Sequence, residues 1–258
     1  QDKTDKIISY DDVTGSVEVE NLGNNGDVGS STFVSICQPG IFQDHSSKEI
    51  GIGMIPVEDE GLLQIGDGTN YSAFESNGTL RFNGEATVWN DIYIPGFTLA
   101  KAVSGNPDKI SFGSSGNLIA YGFDGGATLE ELHGSFEMLH GWKEGTDIII
   151  HVHWTPTTTD TGDVKWQLEY SWANEDGTFG APTTITVTQS AGGTAWKHLR
   201  ADFPVISGTG YNIGSVLKVR LFRDPSDAAD TYGKDAALLE IGCHYQIDTV
   251  GSRNITTK

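Results

Sequence analysis

Two histidines one residue apart, His151 and His153, close the stretch Gly145-Thr-Asp-Ile-Ile-Ile-His-Val-His153. On a strand, side chains at i and i+2 leave from the same face, so both imidazoles can reach one metal ion. The remaining ligands would come from neighbouring strands, where Glu169, Glu240 and His244 carry suitable donor atoms. A second donor set lies in Asp224-Pro-Ser-Asp227-Ala-Ala-Asp230-Thr-Tyr-Gly-Lys-Asp235. There Asp224, Asp227, Asp230 and Asp235 offer the oxygen atoms that calcium prefers. Their spacing departs from the EF-hand pattern, and Asp with Pro and Gly is also ordinary loop composition. Nucleophilic catalysis has less support, because the chain has no Gly-x-Ser-x-Gly elbow. The paired carboxylates of a glycosidase would leave no local signature. Trp142, Trp172 and Trp196 are candidates to stack on sugar rings where exposed, although this composition places most tryptophans in a core.

The spacing Gly-x5-His-x-His resembles the start of the first cupin motif, which implies a cupin-like metal-binding protein as one alternative. Thr157 and Thr158 stand where that motif requires glutamate, and no second histidine motif follows. The competing reading is two histidines on the polar face of a sheet, hydrogen-bonded to neighbours or packed at a subunit interface. It carries the expectation of no catalytic residue, no cofactor and no enzymatic metal centre at His151 and His153. A structural cation would then belong to the acidic loop.

The elements that must position these residues are strands. Ile148, Ile150, Val152 and Trp154 alternate with Asp147, Ile149, His151 and His153. Val164, Trp166, Leu168, Tyr170 and Trp172 alternate with Lys165, Gln167, Glu169 and Ser171. Period two over this length marks half-buried antiparallel strands. A hairpin through residues 155–163 would set His153 opposite Lys165 and His151 opposite Gln167. The pattern returns in Leu217, Val219 and Leu221, and again in Leu239, Ile241, Cys243, Tyr245 and Ile247. Further strands are predicted at 88–94, 110–112, 117–123, 134–139, 183–188 and 196–203, with one helical turn at 128–132. Short strands at such spacing predict an all-β fold, an antiparallel β-sandwich or jelly roll.

The chain has 258 residues and a formal charge of −19, from 16 Lys plus Arg against 35 Asp plus Glu. That balance argues against nucleic-acid and anionic-membrane partners, since phosphate contacts need a basic patch. No run of about 18 apolar residues and no signal-peptide pattern is present. Cys37 and Cys243 are too far apart for a CxxC motif, and Cys243 reads as a buried thiol. All six tryptophans lie from Trp89 onward, whereas the earlier part is interrupted by Gly and Asn. The predicted division is therefore 1–84, a β-rich arm or small subdomain for attachment and oligomerisation, and 85–258, a jelly-roll-like sandwich. Asn77-Gly78 is a strong hairpin signal. Asn70, Asn77 and Asn254 fit the short glycosylation sequon, and Glu130-Glu131 reads as a solvated face.

Several separated stretches together resemble a group of tailed-phage virion structural proteins. They are Asn83-Gly-Glu-Ala-Thr-Val-Trp89-Asn-Asp-Ile, Lys143-Glu-Gly-Thr-Asp-Ile, His151-Val-His-Trp154, Leu168-Glu-Tyr-Ser-Trp-Ala-Asn-Glu-Asp-Gly-Thr-Phe179 and His244-Tyr-Gln-Ile-Asp-Thr-Val-Gly-Ser-Arg253. The resemblance covers about residues 80–253 and transfers no catalytic residue. It implies a β-rich, trimeric virion component: a capsid decoration, head-fibre or tail-fibre module. Its partners would be its own copies and other virion proteins such as capsid or tail, on an extracellular particle assembled in the host cytoplasm. A receptor-binding tail adhesin that takes a host glycan is the alternative within the same reading.

Overall fold

Strands form where apolar and polar residues alternate, and in the computed structural model the described strands make four sheets. It describes residues 63–113, 117–126 and 128–258, and before them the backbone of five strands. The chain divides into two units, Gln1–Val88 with Ile247–Val250, and Trp89–Gln246 with Gly251–Lys258. This boundary falls four residues beyond the one expected at 84, and a short later segment belongs with the first unit.

In the first unit β1 (Lys6–Asp11) and β2 (Ser16–Glu20) form an antiparallel pair. A six-stranded sheet follows in chain order: β3 (Phe33–Ile36), β4 (Ile41–Asp44), β5 (Ile50–Ile52), β6 (Leu63–Gly66), β7 (Tyr71–Phe74) and β8 (Leu80–Asn83). It is antiparallel except between β5 and β6. The Asn77-Gly78 signal is the β7–β8 turn, with Gly78 left-handed at φ 84° and Asn77 Oδ1 accepting the Thr79 N–H at 2.8 Å. Among the described residues of this unit, the buried apolar side chains are Tyr71 and Ala73. Cys37 lies outside the described residues.

The second unit is a sandwich. Its strands are β9 (Val88–Pro95), β10 (Ala100–Lys101), β11 (Asp108–Ser111), β12 (Ile119–Phe123), β13 (Glu130–Glu137) and β14 (Ile149–Pro156). They continue with β15 (Asp163–Ala173), β16 (Thr183–Ser190), β17 (Leu199–Asp202), β18 (Val216–Arg223) and β19 (Ala236–Ile247). One sheet has the order β10-β13-β18-β15-β16; the other has β11-β12-β19-β14-β17, with β9 also paired to β19. All described pairings in this unit are antiparallel.

The core lies between the two sheets. Val164, Trp166 and Leu168 from β15 and Leu217 and Leu221 from β18 face Ile150, Val152 and Trp154 from β14 and Ile241 and Cys243 from β19, all buried. Trp166 meets Trp154 and Phe123 edge-on, at ring-centroid distances of 6.0 and 5.1 Å. Such pairs add about 0.5–1.5 kcal/mol each to their area burial. Burial also raises the Cys243 thiol pKa, so it is an inert core residue.

The alternation is as expected, but one pairing is not. β14 and β15 lie in different sheets, so His151 is not opposite Gln167 nor His153 opposite Lys165. Both strands carry large tryptophans on their apolar faces, and Trp154 and Trp166 meet edge-on across the core because the strands lie in opposite sheets. The connection, residues 157–162, crosses between the sheets. The helical turn expected at 128–132 is instead the start of β13, where Leu132 pairs with Leu221. Among the described residues, no helix is long and apolar enough to cross a membrane.

Candidate functional site

Because Ile150, Val152 and Trp154 point into the core, β14 must present Ile149, His151 and His153 on its outer face. Register sets His151 beside Asp202 of β17 and Gly242 of β19, and His153 beside Arg200 and Glu240. His244 lies opposite Ile149. The missing side chain of Gly242 makes room for the His151 ring, since a Cβ there would overlap His151 Nε2. The ring therefore lies flat against the sheet, stacked on His244 with centroids 4.1 Å apart, and only 1% exposed.

Asp91 of β9 completes a triad. Its Oδ2 is 3.6 Å from His151 Nε2 and 3.7 Å from His244 Nδ1. Donor atoms of all three lie within 4.8 Å of one another. Both carboxylate distances exceed a hydrogen bond. The other ring nitrogen of His151, Nδ1, is buried without a hydrogen-bond partner. Burial, and then the neighbouring His244, push the His151 pKa down to about 4, so the ring is neutral and keeps a free lone pair at physiological pH. His153 meets the His151 ring edge-on, with centroids 4.9 Å apart, and shares a 2.6 Å hydrogen bond between its Nδ1 and Nε2 of His198. Its pKa is also lowered, by burial and by His198.

Of the sequence candidates, the structure thus brings together His151 and His244, with Asp91 as a third member that sequence reasoning missed. Glu169 is not part of the site: it sits on β15 in the opposite sheet, 3.4 Å from Arg220 Nη1. Glu240 is next to His153, not within the triad.

The acidic loop is organised by an internal cation. Arg223, fully buried, donates from Nε and Nη2 to the two oxygens of Asp230 at 2.9 and 2.8 Å. Nη1 donates to the carbonyls of Phe123 and Lys234 at 2.8 Å each, and Nη2 also to that of Tyr232. Asp227 takes Lys165 Nζ at 2.5 Å, and Asp224 accepts the Ser226 N–H at 3.0 Å. Asp235 is near Asp124 instead, and burial with that neighbour raises its pKa. Of the four carboxylates expected to share a calcium ion, Asp230 and Asp227 thus pair with Arg223 and Lys165, Asp224 closes its own turn, and Asp235 lies beside Asp124. Glu130, read as solvated, is buried, and burial raises its pKa to about 7.

Trp142 and Trp172 are core residues, and Trp196 is half-buried with its ring 5.2 Å from Phe112. The exposed tryptophan is Trp89, at 55%. It borders an open groove of about 500 Å³ shared with Gly145, Asp147, Ile149, Val205 and Gln246. Trp89, Ile149 and Gln246 each lie two residues from a member of the triad, so the groove adjoins it on the same face.

No family model matches the chain, and no curated protein matches it. Solved structures with some likeness include the CBM36-1 domain of a multidomain xylanase from the hindgut metagenome of Trinervitermes trinervoides. It is 10% identical, with 60% of this chain and 96% of that chain covered and a TM-score of 0.31. TmCBM61 in complex with β-1,4-galactotriose is 16% identical, covering 62% of this chain and 88% of that one at a TM-score of 0.27. The structure of infectious bursal disease virus Gx strain is 10% identical, covering 69% and 64% at 0.25. At these scores the likenesses say nothing further about the chain.

Proposed function

We propose that the chain is a non-catalytic structural protein of a tailed-phage virion, working by self-association into a trimer and attachment to capsid or tail. The carrying observation is the surface along residues 89–97, where Trp89, Tyr93 and Phe97 stay 55%, 62% and 48% exposed. Three large aromatic side chains left about half exposed on one short stretch, even with Phe97 against Tyr121, are costly to a free monomer and useful to an assembled one. Leu118 and Ile119 are exposed in the same unit. The resemblance of residues 80–253 to phage virion proteins supplies the setting, and the acidic charge suits a particle component without nucleic-acid contacts.

Light scattering at micromolar concentration tests the assembly. The expected mass is three times 27.7 kDa, falling to the single-chain mass in a Trp89→Ser/Tyr93→Ser variant. A monodisperse monomer for the wild type would count against the trimer, and imaging of the intact particle would place the protein on capsid or tail.

One observation favours a second reading, a glycan-binding adhesin. Trp89 borders a groove that also holds the polar Asp147 and Gln246, a combination that can stack on and hydrogen-bond a sugar ring. Binding to a glycan array, lost in Trp89→Ala, would support the adhesin; no glycan bound, with copies arrayed on the capsid, would support the structural role.

A further inference from the structure

We infer that Asp91, His151 and His244 form a binding site for one divalent transition-metal ion of the zinc class. The inference goes beyond the assembly role and does not depend on it. Two imidazoles and one carboxylate are a borderline-soft donor set, suited to zinc and its neighbours rather than to calcium or magnesium, which require oxygen shells. The distances fit that role. Two ligands of a tetrahedral ion with bonds of about 2.0–2.1 Å stand roughly 3.3–3.4 Å apart. The separations from Asp91 Oδ2 are 3.6 and 3.7 Å, a few tenths of an ångström wider than that and too wide for hydrogen bonds.

A second observation points the same way. His151 is 1% exposed, yet its Nε2, the nitrogen aimed at Asp91, lies 3.6 Å from that carboxylate and so outside hydrogen-bond range, while Nδ1, which an ion at Nε2 would not touch, makes no bond that would turn the ring away. Buried polar groups are rarely left unmatched, and an ion at Nε2 would match the nitrogen that faces the carboxylate. The surroundings have been shaped to keep the ring there: Gly242 vacates the space beneath it, and His244 stacks against it. Access is graded from the buried His151 through His244 to the more exposed Asp91, so an ion can enter from solvent. Three protein ligands leave a position for water on the side of the groove. His153 stays outside the set because its Nδ1 is bonded directly to His198, at a distance too short for two ligands of one ion.

The test uses the full chain, stripped with a chelator, dialysed and titrated with Zn²⁺ by calorimetry, in parallel with Asp91→Asn, His244→Gln and the remote control His133→Gln. His133 lies on the other sheet beside Glu131. The expected result is one equivalent of Zn²⁺ per chain for wild type and His133→Gln. Asp91→Asn and His244→Gln should lose more than the roughly 10–100-fold in affinity that changes around a metal shell cost. Saturating Zn²⁺ should raise the unfolding midpoint of wild type by roughly 5–10 °C and leave those two variants unmoved. Should a variant fail to fold, proton NMR of the Co²⁺-loaded wild type decides, with two hyperfine-shifted exchangeable imidazole signals expected. No Zn²⁺ uptake, uptake unchanged in Asp91→Asn and His244→Gln, or fewer than two such signals would overturn the site and leave a water-bridged triad.

Discussion

Arg223 and His151 are both buried polar side chains on the sandwich, one in each sheet, and their surroundings treat them in opposite ways. Arg223 has five N–H donors, and five hydrogen bonds leave it, two to Asp230 and three to backbone carbonyls. Nothing is left over to bind anything else. His151 has one nitrogen without a partner and the other facing a carboxylate across 3.6 Å. Burial alone therefore does not mark function. A saturated network pins the loop after β18 to the fold, whereas an unsaturated one retains capacity for a ligand.

The largest test breaks the saturated side. Asp230→Ala should destabilise the second unit by about 3–5 kcal/mol, measured by urea unfolding, because it strands a fully buried guanidinium. Pairing it with Arg223→Met should recover only part of that loss, since it removes the orphaned charge but leaves the carbonyls of Phe123, Tyr232 and Lys234 and the Lys165 N–H, which Asp230 Oδ2 accepts at 3.0 Å, without these partners. An Asp230→Ala variant within about 1 kcal/mol of wild type would mean that water reaches Arg223.

A second test reads the unsaturated side through Gly242. In metal-free protein, Gly242→Ala should cost roughly 1–3 kcal/mol, because its Cβ overlaps the His151 ring and forces it off the sheet. In a His151→Ala background the same substitution should become neutral or stabilising, by up to about 1 kcal/mol, through the lower entropy of the unfolded chain. Additive effects in the double-mutant cycle would show that His151 does not occupy the Gly242 notch.

Glu130 is an intermediate case: it is buried and accepts one N–H, from Asp124 at 2.6 Å. Its pKa rises from 4.5 to about 7, chiefly through burial. A raised carboxyl holds its proton longer in the folded than in the unfolded state. The contribution to stability is thus full below about pH 4.5 and is lost as pH climbs through 7. Wild type should lose on the order of 2 kcal/mol over that window relative to Glu130→Gln. Parallel stability curves for the two proteins between pH 4.5 and 7.5 would refute the shift.

Much of this was legible in the sequence. Period-two alternation gave β14, β15, β18 and β19 and their buried faces, because each face must be uniformly apolar. Pairing was not legible: β14 and β15 are neighbours in sequence but belong to opposite sheets, where Trp154 and Trp166 meet across the core. His151 and His153 read as one pair from their spacing, and their rings do meet edge-on, yet His151 stacks on His244 and faces Asp91 while the His153 Nδ1 bonds to His198. Asp91 joins across some sixty residues of chain, with no local signal. One signal was present in Gly242, a glycine inside a strand of large residues, which marks close approach by another group.

The smallest effect sharpens the comparison most, because it uses the same loop and the same residue type. Asp227 and Asp230 are three residues apart and each meets a cation, Lys165 or Arg223. The Asp227 pair is partly exposed, at 20% and 29% against 0% and 1% for the Arg223 pair, so water reaches it and screens the attraction. Its carboxyl pKa is lowered, first by the Lys165 hydrogen bond and then by the Ala229 N–H. Asp227→Asn retains an oxygen for the Ala229 N–H, which Asp227 Oδ1 accepts at 2.9 Å, and removes the charge together with the Oδ2 acceptor of Lys165 Nζ. The unfolding free energy should stay within the roughly 10–15% uncertainty of denaturant extrapolation, with any residual difference erased at 1 M salt. A loss as large as that of Asp230→Ala would mean that the Lys165 pair is as dry as the Arg223 pair. The distinction between a matched core cation and a screened surface one would then fail within a single loop.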